Sequence, residues 1–205
     1  MQAFTTVTGC AIPFLRANVD TDLIVRIERL TSLPKDQLGP YAFESLRYRP
    51  DGSLDPDCIL NAARLRNAPF LLAGDNFGCG SSREGAVWAL MCLGIRAVIA
   101  PSYGDIFFSN CFQNGMLPIR LPPAQIEALA AHCAGGAPLT VDLQACEIRS
   151  GDGAALPFAI DATRREGLLS GLDAIGLTLR DDAAIRAWQA RDRVQRPWAW
   201  RPVCT

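Results

Sequence analysis

The sequence predicts an α/β fold with a parallel core sheet, flanking helices and an added β-hairpin. Two apolar runs, Pro69-Phe70-Leu71-Leu72-Ala73 and Arg96-Ala97-Val98-Ile99-Ala100, are short and do not alternate with polar residues. Such runs fit strands that are covered on both faces. A helix-length segment, 82–93, lies between them, which makes a parallel pair with a crossover helix. Finally, Ser150-Gly151-Asp152-Gly153 separates β-rich stretches at 138–149 and 156–160, the signal of a hairpin.

The remaining elements follow in chain order. Residues 3–12 are β-rich and run into Pro13, and the small polar residues of 16–22 make a loop. Prolines 34, 40, 50 and 56 with glycines 39 and 52 make 31–58 the least regular stretch, which reads as a surface excursion free to move. A helix over 103–114 is closed by Gly115, and Leu117-Pro118-Ile119-Arg120-Leu121 supplies another short strand. Pro122 and Pro123 suit the first turn of a helix over 123–134, where Ile126, Leu129, Ala130 and Cys133 form one apolar stripe. His132 on that helix reads as a surface residue. Helices near 161–171 and 182–192 complete a single domain, 1–195. The tail, 196–205, holds prolines that forbid a continuous helix and tryptophans suited to docking on this chain or a partner.

Composition excludes several functions. In 205 residues, Lys+Arg 20 against Asp+Glu 21 leaves a net charge of -1 and no basic field for nucleic acid. The N-terminus lacks a basic stretch followed by an apolar one, and no window approaches the ~20 apolar residues of a membrane span, so the chain reads as soluble and cytoplasmic. Cysteines at 10, 58, 79, 92, 111, 133, 146 and 204 form no ligand-spaced pair, and His132 is the only histidine. They read as reduced, separate thiols, and the chain is expected to bind no metal of its own.

The chemistry concentrates in Gly74-Asp75-Asn76-Phe77-Gly78-Cys79-Gly80-Ser81-Ser82-Arg83-Glu84-Gly85. Gly78 and Gly80 permit a tight turn around Cys79 and close approach of a ligand to the backbone. Ser81 and Glu84 have the S-x-x-E spacing of a capping box, which starts a helix there with its first N–H groups directed into the turn. With Ser81, Ser82 and Arg83 this makes an anion site for a carboxylate or a phosphate; the plainer alternative is a capped helix after a glycine-shaped loop. A dinucleotide fingerprint fails because position 83 is Arg, and no G-K-[ST] occurs. A helix terminus stabilises an anion by at most about 2 kcal/mol, one or two pKa units, which cannot make a serine alkoxide at neutral pH. Arg83 and an external cation are both required, which points to a partner that brings a metal. Asn18-Val19-Asp20-Thr21-Asp22 suits hydrogen bonding to a ligand, orientation of an arginine, or a simple Asx turn. Pro101-Ser102-Tyr103-Gly104-Asp105-Ile106 follows the second core strand. In an open α/β sheet it faces the same pocket as the Ser81 loop.

These segments, with Val98-Ile99-Ala100-Pro101-Ser102 and Gly171-Leu172-Asp173-Ala174-Ile175-Gly176-Leu177-Thr178-Leu179, resemble one family over nearly the whole chain. It is the small-subunit family of 3-isopropylmalate dehydratase (isopropylmalate isomerase), standalone relatives of the C-terminal swivelling domain of aconitase. The resemblance implies a swivelling β/β/α fold and a large-subunit partner that carries a [4Fe-4S] cluster on its own cysteines. It implies Ser81 as the base, Arg83 with Ser82 as the carboxylate site, and Thr21 and Asp22 as residues lining it. The reaction implied is dehydration and rehydration of 2-isopropylmalate, a small hydroxy-dicarboxylate, in leucine biosynthesis. Two departures bear on the substrate's side group: Gly85 stands where relatives commonly have His, which removes a titratable group from the pocket mouth. Ile24-Val25-Arg26-Ile27-Glu28-Arg29 replaces the usual continuation after Asp22. A paralogue acting on citraconate and 2-methylmalate or on dimethylmaleate, or a non-catalytic binding subunit, are the alternatives.

Overall fold

The computed structural model describes residues 1–151 and 155–200. Strands β1 (Thr6–Gly9) and β2 (Ala11–Phe14) open the chain, followed by the helical turns α1 (Thr21–Ile24), α2 (Ile27–Ser32) and α3 (Glu44–Arg47). Then come β3 (Phe70–Ala73), α4 (Gly85–Cys92), β4 (Ala97–Ala100), α5 (Asp105–Asn114), β5 (Leu117–Arg120) and α6 (Pro123–Cys133). Strands β6 (Leu139–Asp142), β7 (Glu147–Ser150) and β8 (Ala155–Pro157) precede α7 (Ala162–Ser170), α8 (Ala174–Thr178) and α9 (Asp182–Gln195).

The parallel sheet has the order β2-β3-β4-β5, with Ile12 beside Leu71 and Leu71 beside Val98. Successive strand residues point to opposite faces, so the two cores divide the same strands between them. Leu71, Ala73, Val98 and Ala100 pack with Ala86, Leu90, Phe107 and Cys111 of α4 and α5. Phe70, Leu72, Ala97 and Ile99 pack with Ile126, Leu129, Ala130 and Cys133, the predicted stripe of α6. The second sheet, β1-β6-β7-β8, is antiparallel and adds Leu139, Val141 and Ile148 to that second core. Every residue of β3 and β4 is fully buried, and each large side chain there contributes about 1.5–3 kcal/mol. The uninterrupted apolar runs therefore follow from a sheet with both faces covered.

Three expectations need correction. The stretch 138–149 is two strands, not one: Asp142 Oδ1 accepts from the Ala145 N–H at 2.9 Å and folds 143–146 into a turn. An Asx-type turn can interrupt a β-rich run without any glycine or proline. Second, 31–58 is irregular but is not merely a surface excursion, since Leu38, Ala42 and Phe43 are buried. Prolines limit it to short turns, while these apolar residues cover α4. Gly39 sits so close to that helix that a Cβ would lie 2.6 Å from the Cys92 carbonyl oxygen. Arg47 secures the stretch through Asn61 Oδ1 and the carbonyls of Gly39, Pro40 and Ala42.

The third correction concerns the helix expected from Ser82, which begins only at Gly85. The predicted 150–153 turn lies partly outside the described residues, as does 201–205. In the described part of the tail, Trp200 Nε1 donates to Asp192 Oδ2 at 2.9 Å, which docks that tryptophan on α9. His132 is half-buried, and its Nε2 accepts from the Gly151 N–H at 3.5 Å. No described helix is long and apolar enough to cross a membrane.

Candidate active site

The loops that follow β2, β3 and β4 leave the same edge of the parallel sheet, the position where open α/β sheets bind ligands. Backbone hydrogen bonds stitch them together. The Asn18 N–H donates to the Asp75 carbonyl at 2.8 Å, Gly78 N–H to Val19 at 2.7 Å, and Thr21 N–H to Cys79 at 3.0 Å. On the other side, Phe77 N–H donates to Ser102 at 3.1 Å and Gly104 N–H to Phe77 at 3.0 Å. Ser102 Oγ adds a bond to Asp75 Oδ1 and accepts from the Asn76 N–H at 2.8 Å. The loop after β4 thus supports the glycine loop directly, as the sheet topology predicts.

Gly78 is the pivot of this arrangement. Its φ is +71°, and a Cβ there would lie 2.2 Å from Phe107 Cγ, so the backbone rests on that ring. Only glycine combines that left-handed conformation with so close an approach.

The two predicted constellations meet at this point. Asp20 caps α1 by accepting from the Leu23 N–H at 2.7 Å, which places Thr21 and Asp22 in its first turn. Thr21 is buried, 1% exposed, and its Oγ1 lies 2.7 Å from Ser81 Oγ and 3.3 Å from the Ser81 carbonyl oxygen. Ser81 and Ser82 are exposed, while Arg83 is half-buried. Arg83 Nη1 donates to Asp22 Oδ1. The Asp22 carboxylate therefore orients the arginine, one of the roles its spacing allowed. A carboxylate is also a poor direct receptor for an anion.

The capping box does not form. Ser81 lies four residues before α4, and Glu84 Oε1 instead accepts from Asn114 Nδ2 at 2.6 Å. Asn114 is fixed in turn by Trp88 Nε1 at 2.9 Å and Lys35 Nζ at 3.2 Å. S-x-x-E is only a spacing; here tertiary partners claim both side chains. The helix terminus consequently does less for Ser81 than the spacing suggested, and Thr21 does more. Gly85 is not at a pocket mouth either: it is buried, and a Cβ would lie 2.4 Å from Leu30 Cδ2. No sequence signal marks the Asn114–Glu84 pair, and the Thr21–Ser81 contact spans 60 residues.

Comparison with known proteins places the chain in a family. The Aconitase C-terminal domain model matches residues 1–124 and a LeuD_N model matches 127–162. A model of the C-terminal domain of the 3-isopropylmalate dehydratase small subunit matches 175–199. A 3-isopropylmalate dehydratase small subunit from Rhodospirillum centenum is 51% identical over 201 residues, 97% of this chain and 99% of that one. The chain belongs to the 3-isopropylmalate dehydratase small-subunit family. A small subunit from Rhodopseudomonas palustris is 49% identical over 97% of this chain and 100% of its own. A crystal structure of 3-isopropylmalate dehydratase from Methanocaldococcus jannaschii superposes with a TM-score of 0.65 at 25% identity, covering 90% of this chain and 99% of that one. The mixed architecture of a parallel and an antiparallel sheet is thus that of the aconitase C-terminal domain.

Among the described residues no group of three or more His, Cys, Asp or Glu side chains is placed to hold a metal ion. Cys79 is the one cysteine in the glycine loop, and Cys10, Cys58, Cys92, Cys111, Cys133 and Cys146 are free thiols elsewhere.

Proposed function

We propose that this chain is the small subunit of a hydro-lyase that isomerises 2-isopropylmalate to 3-isopropylmalate by dehydration and rehydration, the leucine-pathway reaction. The observation that carries the reading is the pairing of exposed Ser81 with buried Thr21 at 2.7 Å, in the same loop as Arg83. As its alkoxide, Ser81 takes a proton from one carbon beside a carboxylate while the hydroxyl leaves the neighbouring carbon; in the second half it returns that proton to the neighbouring carbon as hydroxide adds to the first. Buried Thr21 Oγ1 has two acceptors on Ser81, the carbonyl oxygen at 3.3 Å and the nearer Oγ at 2.7 Å. Its hydroxyl donates to Ser81 Oγ when that oxygen carries charge, a charge-assisted bond worth about 1.5–3 kcal/mol. Asp22 occupies Arg83 Nη1 and leaves Nε and Nη2 as a planar fork for a substrate carboxylate, with Ser82 beside it.

These residues do not complete the chemistry alone, because a serine stabilised by hydrogen bonds is still far from an alkoxide at neutral pH. A large-subunit partner that carries a [4Fe-4S] cluster supplies the Lewis acid for the departing hydroxyl. The described residues of this chain offer no donor set for it. The names of the full-length relatives support the substrate assignment, and Gly85 packing against Leu30 makes that departure a matter of packing.

The test is to reconstitute the complex anaerobically with the large subunit from the same genome. 2-Isopropylmalate and 2-methylmalate are offered in parallel, and the unsaturated intermediate is followed by ultraviolet absorbance. Turnover of the isopropyl compound is expected. Turnover of 2-methylmalate alone assigns the chain to a paralogous hydratase, and inactivity on both favours a purely binding role.

A further inference from the structure

One strand beyond the Ser81 site, at the end of β5, lies an open cleft of about 330 Å³. Its apolar wall includes Phe108, Phe112, Pro118 and Ile160, and its polar wall is Arg120, Arg164 and Asp161. Both guanidiniums face the same ring: Arg120 Cζ is 4.1 Å from the Phe108 centroid and Arg164 Cζ is 5.3 Å from it. Arg164 also lies 4.7 Å from the centre of Phe112. Tyr103, 5.4 Å from Phe108 and packed on Phe107, walls this cleft off from the glycine loop.

What sets these two arginines apart is that both line one cleft. Arg29, Arg83 and Arg196 each pair with a carboxylate, and Arg165 with carbonyl oxygens. Among the described residues neither the Arg120 nor the Arg164 guanidinium has such a partner. Asp161 also lines the cleft; its Oδ1 caps α7 by accepting from the Arg164 N–H at 3.0 Å, and its one negative charge leaves the two guanidiniums in excess. Two like charges gathered around one aromatic ring repel each other, and an anion between them relieves that repulsion. Guanidinium geometry favours a carboxylate, and the surrounding rings and Ile160 favour hydrocarbon next to it. A second, apolar cavity of about 130 Å³ shares Phe112 and Arg164 with the cleft and extends to Leu172 and Leu177.

We infer that this cleft is a second ligand site, distinct from the Ser81 site, for a small carboxylate bearing a compact hydrocarbon group. Arg120 and Arg164 hold the carboxylate, and the Phe108–Phe112 wall takes the hydrocarbon. The probe is 4-methylpentanoate, titrated into the full chain with amide resonances of Ala159 and Ile160 followed by NMR, in parallel with inorganic phosphate. The expected result is saturable binding that shifts those resonances. It weakens at least tenfold in Arg120→Gln and in Arg164→Gln, and Arg83→Gln leaves it unchanged. Unperturbed amide spectra elsewhere show that each variant is folded. Three results overturn the assignment: no saturable shift, loss of binding in Arg83→Gln alone, or phosphate binding as tightly as 4-methylpentanoate. Loss of the site when the large subunit is added also overturns it, since the arginines then belong to the interface between subunits.

Discussion

Replacing Thr21 with valine isolates the contact on which the proposed serine chemistry depends. Valine keeps the shape of a side chain that is 1% exposed and removes the hydroxyl that lies 2.7 Å from Ser81 Oγ and 3.3 Å from the Ser81 carbonyl oxygen. In the resting chain the bond is between neutral groups, and its loss costs about 0.5–1.5 kcal/mol of stability. When Ser81 carries developing charge, the same bond is worth about 1.5–3 kcal/mol, about 1–1.5 kcal/mol more than in the resting state, so kcat falls about 5- to 13-fold. The assay is turnover of 2-isopropylmalate by the reconstituted complex, read beside thermal unfolding of each variant. KM should change little, because the carboxylate fork of Arg83 is untouched. Thr21→Ser retains a hydroxyl and should restore most of the rate. A Thr21→Val enzyme within twofold of wild type, with Ser81→Ala inactive, would refute the idea that Thr21 tunes the base.

Other outcomes follow from the packing and the charges. Gly78→Ala places a methyl group 2.2 Å from Phe107 in a left-handed conformation and should lower stability by more than the ~1–2 kcal/mol of the backbone alone, seen as a reduced Tm. Gly85→His should also destabilise, and shortening its obstacle with Leu30→Ala should recover part of the loss, measured by denaturant unfolding. The Arg29 hydrogen bond holds the Glu44 carboxyl below its ordinary 4.5, against the opposing effect of burial. The Ala145 N–H is the main cause that lowers Asp142. Both folded-state values are depressed, so their stabilisation is complete above the ordinary carboxylate range and is lost as pH falls through the lowered values. Tm should therefore decline between about pH 5 and 3, and Glu44→Gln should flatten part of that slope. Burial pushes the Cys133 thiol up to about 11 and raises Cys111 well above its ordinary value, so both should resist a thiol reagent at neutral pH until the chain unfolds.

The parallel core was legible because burial on both faces leaves a direct mark: β3 and β4 contain no polar residue to interrupt the run. The stripe on α6 and the glycine that ends α5 were equally plain, each being a local rule about helix faces and termini. The site residues were legible as two separate motifs, and the sheet topology accounts for their meeting. What escaped was set by tertiary partners. Glu84 left its capping role for Asn114, Asp142 made a turn without a glycine, and Phe43 supplied core from a proline-rich stretch. Gly85 was misplaced for the same reason, because its neighbour Leu30 lies 55 residues earlier in the chain and no local pattern links them.

Ser81 is proposed as the proton-transferring group which this chain contributes to a site completed by its partner. The most direct test is Ser81→Ala in the anaerobically reconstituted complex, with 2-isopropylmalate turnover and substrate binding measured on the same preparation. Turnover should fall by several orders of magnitude while Arg83 and Ser82 keep substrate affinity largely intact. Turnover close to wild type, with substrate still bound, would contradict it and leave the chain a binding role only.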